Sequence, residues 1–162
     1  MYKVDEYLKC GKDVCKVKEI KEKRFNDMDY YLLIPVKDES LKIEIPVNSD
    51  KLTNLISKEE LNNLLEKIPN IEPIDIEEKF LENEYKRLLA TGNYEDIIKV
   101  IKTTYLRNKK RKENNKKLAE KDINYFDLAE DSLYNEFSLV LGKNYDETKK
   151  FIIQKIDEIA IN

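Results

Sequence analysis

Apolar and polar residues alternate along most of Val14–Ile20 (VCKVKEI) and again along Leu41–Pro46 (LKIEIP), the period of a half-buried strand. Between them, Tyr30–Val36 (YYLLIPV) is more continuously apolar. Turn chemistry separates these runs at Phe25-Asn26-Asp27-Met28-Asp29 and at Lys37-Asp38-Glu39-Ser40. Residues Tyr2–Pro46 therefore predict four or five short strands joined by tight hairpins, making a small, strongly bent sheet or barrel. Such a unit exposes edge strands, which commonly serve as docking surfaces for a partner strand.

The period then lengthens to that of helices. Ser57-Lys58-Glu59-Glu60 has the form of a capping box, and Leu61, Leu64, Leu65 and Ile68 follow on one helical face. Pro69 and Pro73 flank a stretch that cannot continue the helix, which places a domain boundary near Asn70. The division predicted is a β-rich module over 1–70 and a helical module over 71–162. A helix over Asp75–Thr91 offers Phe80, Leu81, Tyr85, Leu88 and Leu89 to a core; Gly92 stops it and Asn93 can cap the next. That next helix, Tyr94 to Lys112, carries Ile97, Ile98, Ile101 and Tyr105 inward, with Val100 as a further candidate. A longer helix over Glu120–Leu141 uses Tyr125, Phe126, Leu128, Ala129, Leu133, Phe137 and Val140, with Leu139 as a further candidate. Gly142 ends it, Asn144 caps, and Tyr145–Ile159 closes the chain with Phe151, Ile152, Ile156 and Ile159. The class is α+β: a small bent sheet first, an all-α bundle second.

Charge changes this picture at one place. The chain is −3 overall, yet residues 97–117 hold nine cations (Lys99, Lys102, Arg107, Lys109, Lys110, Arg111, Lys112, Lys116 and Lys117) against one acid, Glu113. That is +8, so the rest of the chain sums to −11. Concentrated positive charge fits a polyanion, most commonly nucleic acid. The competing reading is a solvated helix end in a chain whose Lys content is high throughout. The basic turns also suit the negative end of a helix dipole.

Candidate chemistry is sparse. The chain has no His, and its two cysteines, Cys10 and Cys15, are too few for a zinc set. Gly11, Gly92 and Gly142 are too scattered for a phosphate loop. No nucleophile–base pair can be assembled, so the expectation is a protein that is not an enzyme, with no metal and no cofactor. No apolar run approaches the length of a membrane span, and MYKVDEYLK does not read as a signal peptide; the expected location is cytoplasmic.

Several segments, in order, resemble the CarD/CdnL family of bacterial transcription regulators, whose first module is similar to the polymerase-interacting domain of transcription-repair coupling factors. They are the opening YKVDEYL, the segment LKIEIPVNSDKLTNLISKEEL, the helix stop TGN, IIKVIKTTYLRNKKRK and LAEDSLYNEFSLVLGK. Together they span Tyr2 to about Ile159. The resemblance implies a Tudor-like first module that docks on the RNA polymerase β subunit. It implies a helical second module that touches promoter DNA near the upstream edge of the melted region. Nucleoid association, no membrane and no small-molecule substrate go with it. The polymerase-facing residues implied are Lys23, Phe25, Ile43, Glu44, Ile45 and Pro46, and the DNA-facing residues are the nine cations above.

The chain departs from that family in three places. Leu8–Val14 (LKCGKDV) lacks the family's Tyr-Pro pair. Lys23 and Glu44 stand where some members carry arginines, so one position loses a bidentate fork and the other reverses charge. The family's tryptophan wedge has no counterpart, because the chain has no Trp; Glu78 stands at that position. A carboxylate cannot act as an apolar wedge between base steps. Two alternatives therefore stand beside the regulator: a free-standing nucleic-acid-binding protein, and a polymerase adaptor that uses only the β module.

Overall fold

The computed structural model describes residues 1–158; the expected core position Ile159 lies outside them. An antiparallel five-stranded sheet comes first: β1 (Tyr7–Cys10), β2 (Asp13–Phe25), β3 (Met28–Pro35), β4 (Ile43–Pro46) and β5 (Leu52–Thr53). Their order is β4-β3-β2-β1-β5, and the sheet is open. Helices follow: α1 (Lys58–Lys67), α2 (Glu78–Ala90), α3 (Tyr94–Glu113), α4 (Glu120–Leu141) and α5 (Tyr145–Asp157). The architecture is α+β, as the periodicities predict. No helix among the described residues is long and apolar enough to cross a membrane.

The sheet folds around Leu8, Cys15, Val17, Tyr31, Leu33 and Ile45, with Tyr2, Ile20 and Ile43 packed at the margin. Burial pushes the Cys15 thiol up to about 12. Tyr2 ties the N-terminus down: its backbone amide donates to the Tyr31 hydroxyl at 2.9 Å, and its own hydroxyl donates to Asn54 Oδ1 at 2.7 Å. The alternation in β2 breaks for a structural reason. Val17 opposes Leu33 and Glu19 opposes Leu32, so Lys18 is the extra residue of a bulge. The bulge moves the inward face from Cys15 and Val17 to Ile20. Asn26 and Asp27, at φ 49 and 55, make the two-residue hairpin turn between β2 and β3, a conformation these side chains tolerate.

Among the helices, α3 and α4 form the central pair, with α2 against α3 and α5 against α4. Asn93 caps α3 by accepting from the amides of Glu95 and Asp96, and Asn144 makes a full capping box on α5. Ile97, Ile98, Val100 and Ile101 of α3 are buried, as are Ala129, Leu133, Tyr134 and Phe137 of α4, and the two helices pack on each other. Two expected core residues lie outside. Phe80 is 52% exposed and Leu128 is 57% exposed. In α2 the inward face is set by Leu81, Tyr85 and Leu88, and Phe80 falls one residue off that stripe, beneath the Lys79 ammonium.

The compact units are Met1–Ser57 and Lys58–Asn162, so α1 belongs with the helices and the division falls before Asn70. The cause lies in α3. Lys102 Nζ donates to the carbonyls of Ile68 and Pro69 at 2.7 and 3.0 Å, and Thr103 Oγ1 accepts from the Ile74 amide at 2.9 Å. The Pro69–Pro73 stretch is thus bound to the helical unit and does not act as a linker.

Candidate nucleic-acid interface

The nine cations do not form one surface. Lys102 is 5% exposed, and burial pulls its ammonium below the usual range. Its ammonium donates to two backbone carbonyls just after α1, so it is structural and drops out of the expected interface. Lys99 lies about 12 Å further back along the helix axis than Arg107. It lines a hollow with Lys67, Glu72, Glu95 and Asp96, where acids offset its charge.

The other cations divide by helical geometry. Arg107, Lys110, Arg111 and Asn114 recur at three- and four-residue steps and share one face. Tyr105, Lys109 and Lys112 follow the neighbouring stripe. On that second stripe Lys109 is committed to Asp157 Oδ1 at 2.8 Å, while Lys112 rims an apolar groove of about 690 Å³ with Leu118, Ile123 and Phe126.

The first stripe has a root in the core. Asp122, 3% exposed on α4, accepts from the Tyr85 hydroxyl at 2.8 Å and from Arg107 Nε at 2.9 Å. Burial, then the hydrogen bond to Asp122, holds the Tyr85 phenol well above its ordinary range. Burial pulls the Arg107 guanidinium down, but the hydrogen bond and charge of Asp122, with Tyr85 and Glu78, together outweigh it and the net direction is up. One edge of Arg107 is therefore fixed inward, and Nη2 reaches outward to Glu78 Oε1 at 2.9 Å. Glu78 opens α2, where its charge also meets the positive end of the helix dipole.

The helix end positions the last cations. Asn115 takes φ 56, and the amides of Asn115 and Lys116 bond back to the carbonyls of Lys112 and Arg111. This is a Schellman stop with Asn in the left-handed position. It turns Lys116 back over Arg111 instead of letting it run on into solvent. Asn108 then clamps the loop: its Oδ1 accepts from the Ala119 amide at 2.8 Å, and its Nδ2 donates to the Ala119 carbonyl at 3.3 Å. Arg107, Lys110, Arg111, Asn114 and Lys116, together with Glu78, line a hollow of about 370 Å³. Lys117 is exposed on the same loop.

The expected polymerase-facing residues lie on the sheet. Strand β4 is an edge strand: among the described residues it pairs with β3 and has no strand on its other side. The Val47 amide donates to the Asp29 carbonyl at 3.0 Å, which fixes the ladder's phase. Alternation along an antiparallel pair then turns the amides and carbonyls of Ile43 and Ile45 toward β3 and those of Glu44 outward. Pro46 falls where no amide hydrogen is needed. The Ile45 side chain is buried and Ile43 packs at the core margin, so this edge can offer its backbone and Glu44 but not two isoleucine side chains. Glu44 itself is engaged by Lys21 Nζ at 2.5 Å and Arg24 Nε at 3.5 Å. Lys23 sits in an irregular part of β2 at φ 47, with its amide on Asp29 Oδ1, and Phe25 is 62% exposed beside the hairpin turn.

No group of three or more His, Cys, Asp and Glu side chains among the described residues could hold a metal ion. The chain matches no family model and no curated protein.

Proposed function

We propose that the protein is a CarD-like transcription regulator that contacts promoter DNA through the C-terminal end of α3 and docks on bacterial RNA polymerase through β4. The observation that carries the DNA half is the hollow of Arg107, Lys110, Arg111 and Lys116, held by a buried carboxylate and a Schellman stop. Such contacts meet phosphate and not base edges, so binding is expected to be sequence-tolerant and steep in salt. The docking half is supported by the open edge at β4, and reading this open sheet as a Tudor-like module belongs to the same proposal.

The structure changes how docking should be tested. Charged substitutions at Ile43 and Ile45 would disrupt the sheet core and say nothing about an interface. Glu44→Pro removes the outward amide that an added strand would use, and Glu44→Thr keeps it. Binding of the full chain to purified polymerase β subunit should survive the threonine and be lost with the proline. Equal binding by both folded variants would refute docking at this edge.

A second reading has its own support. Lys21 and Arg24 already engage Glu44, so the reversed charge at this edge is balanced within the sheet. A free-standing nucleic-acid-binding protein would show this arrangement with no polymerase partner. In that case the full chain binds duplex DNA but not the β subunit.

A further inference from the structure

We propose that the hollow beside Arg107, Lys110, Arg111, Asn114 and Lys116 is a phosphate-binding site whose resting occupant is the Glu78 carboxylate. The inference rests on the reading of this helix end as a nucleic-acid interface and adds a regulatory element to it. Glu78 Oε1 lies 2.9 Å from Arg107 Nη2 and 4.0 Å from Arg111 Nη2, so a carboxylate oxygen sits where a phosphate oxygen would.

Two features distinguish the hollow from a chance surface pair. Its lead ligand is oriented in advance: Asp122, itself held by Tyr85, grips Arg107 Nε and leaves Nη2 facing outward. Positive charge also remains after Glu78 is counted. Lys110 and Lys116 make no ion pair among the described residues, so four cations there meet two carboxylates, exposed Glu78 and buried Asp122. Glu78 is 72% exposed, and exposed pairs of this kind are weak enough to exchange. A backbone phosphodiester carries one negative charge, as the carboxylate does, but it brings two non-bridging oxygens and neighbouring phosphates that can also reach Lys110 and Lys116. Glu78 would then swing into solvent.

A backbone phosphodiester and a free phosphate share this chemistry, so two probes are needed: a short random-sequence DNA duplex and inorganic pyrophosphate. The comparison is the full-length protein against Glu78→Gln, which keeps the shape and removes the charge, and against Arg111→Gln. Glu78→Gln should tighten duplex binding roughly three- to fivefold at low salt, and Arg111→Gln should weaken it. If the duplex binds but Glu78→Gln has no effect, Glu78 is not an occupant and this inference falls, while the DNA reading stands. If the duplex does not bind but pyrophosphate binds tighter to Glu78→Gln, the site stands and the DNA reading falls. If neither probe responds, both fall.

Discussion

Two carboxylates, each met by two cations, illustrate how similar ion pairs can differ in meaning. On the sheet, Glu44 lies between Lys21 and Arg24, all three at the surface, and both cations are spent on that one carboxylate. On the helices, Glu78 lies against Arg107 and Arg111, but Arg107 is rooted in buried Asp122, and Lys110 and Lys116 beside it make no ion pair among the described residues. The first cluster is self-contained. The second is preorganised and has charge to spare, and that surplus is what a partner could use.

The sharpest way to break this comparison is to remove the root. Arg107→Ala would leave the Asp122 charge buried with only the Tyr85 hydroxyl and should cost about 3 kcal/mol of stability by urea unfolding. Arg24→Ala, its counterpart on the sheet, should cost under about 0.5 kcal/mol. Equal effects would mean that Arg107 is an ordinary surface residue.

Next in size is the contrast within α3 itself. Lys102→Met strips the donor from the Ile68 and Pro69 carbonyls and should lose roughly 1–3 kcal/mol, with DNA affinity unchanged once the variant is folded. Lys110→Met should leave stability nearly unchanged and weaken DNA binding. Reversal of either result would reassign the two lysines.

A smaller effect concerns pH. The hydrogen bond from Lys21 holds the Glu44 carboxyl below its ordinary value of 4.5. A depressed folded-state value means the pair's stabilisation is present above pH 4.5 and is lost as pH falls through that lower value. Carboxyl resonances followed by NMR should show Glu44 titrating below 4.5, and Lys21→Met should move it back up. An unchanged titration in that variant would show that Lys21 is not the cause.

The period-two and helical patterns, together with Asn93, Gly142 and Asn144, made the elements of the fold legible from the sequence. Strand β5 was not legible: two residues carry no period, and Leu52 and Thr53 are a strand only because Cys10 and Lys9 pair with them. The burial of Lys102 had a faint signal. It lies inside VIKTT, where the helix is buried on every side from Val100 to Thr104, and a charge inside such a run must find partners. The expected boundary near Asn70 failed as a guide for the same reason, since Lys102 and Thr103 bind that stretch to α3. Most of the candidate site was hidden by distance in sequence. Its basic residues were plain to read, but Glu78, Tyr85 and Asp122 reach Arg107 and one another across 15 to 37 positions. No local pattern encodes such contacts.

The central claim is that the end of α3 is a phosphate-binding face, and the salt dependence of duplex binding tests it most directly. With Arg107, Lys110, Arg111, Lys112, Lys116 and Lys117 engaged, the log–log slope against salt should be about −5, and replacing the last five by Gln should flatten it to about −1. A flat response in the native chain, or an unchanged slope in the five-residue variant, would contradict the account.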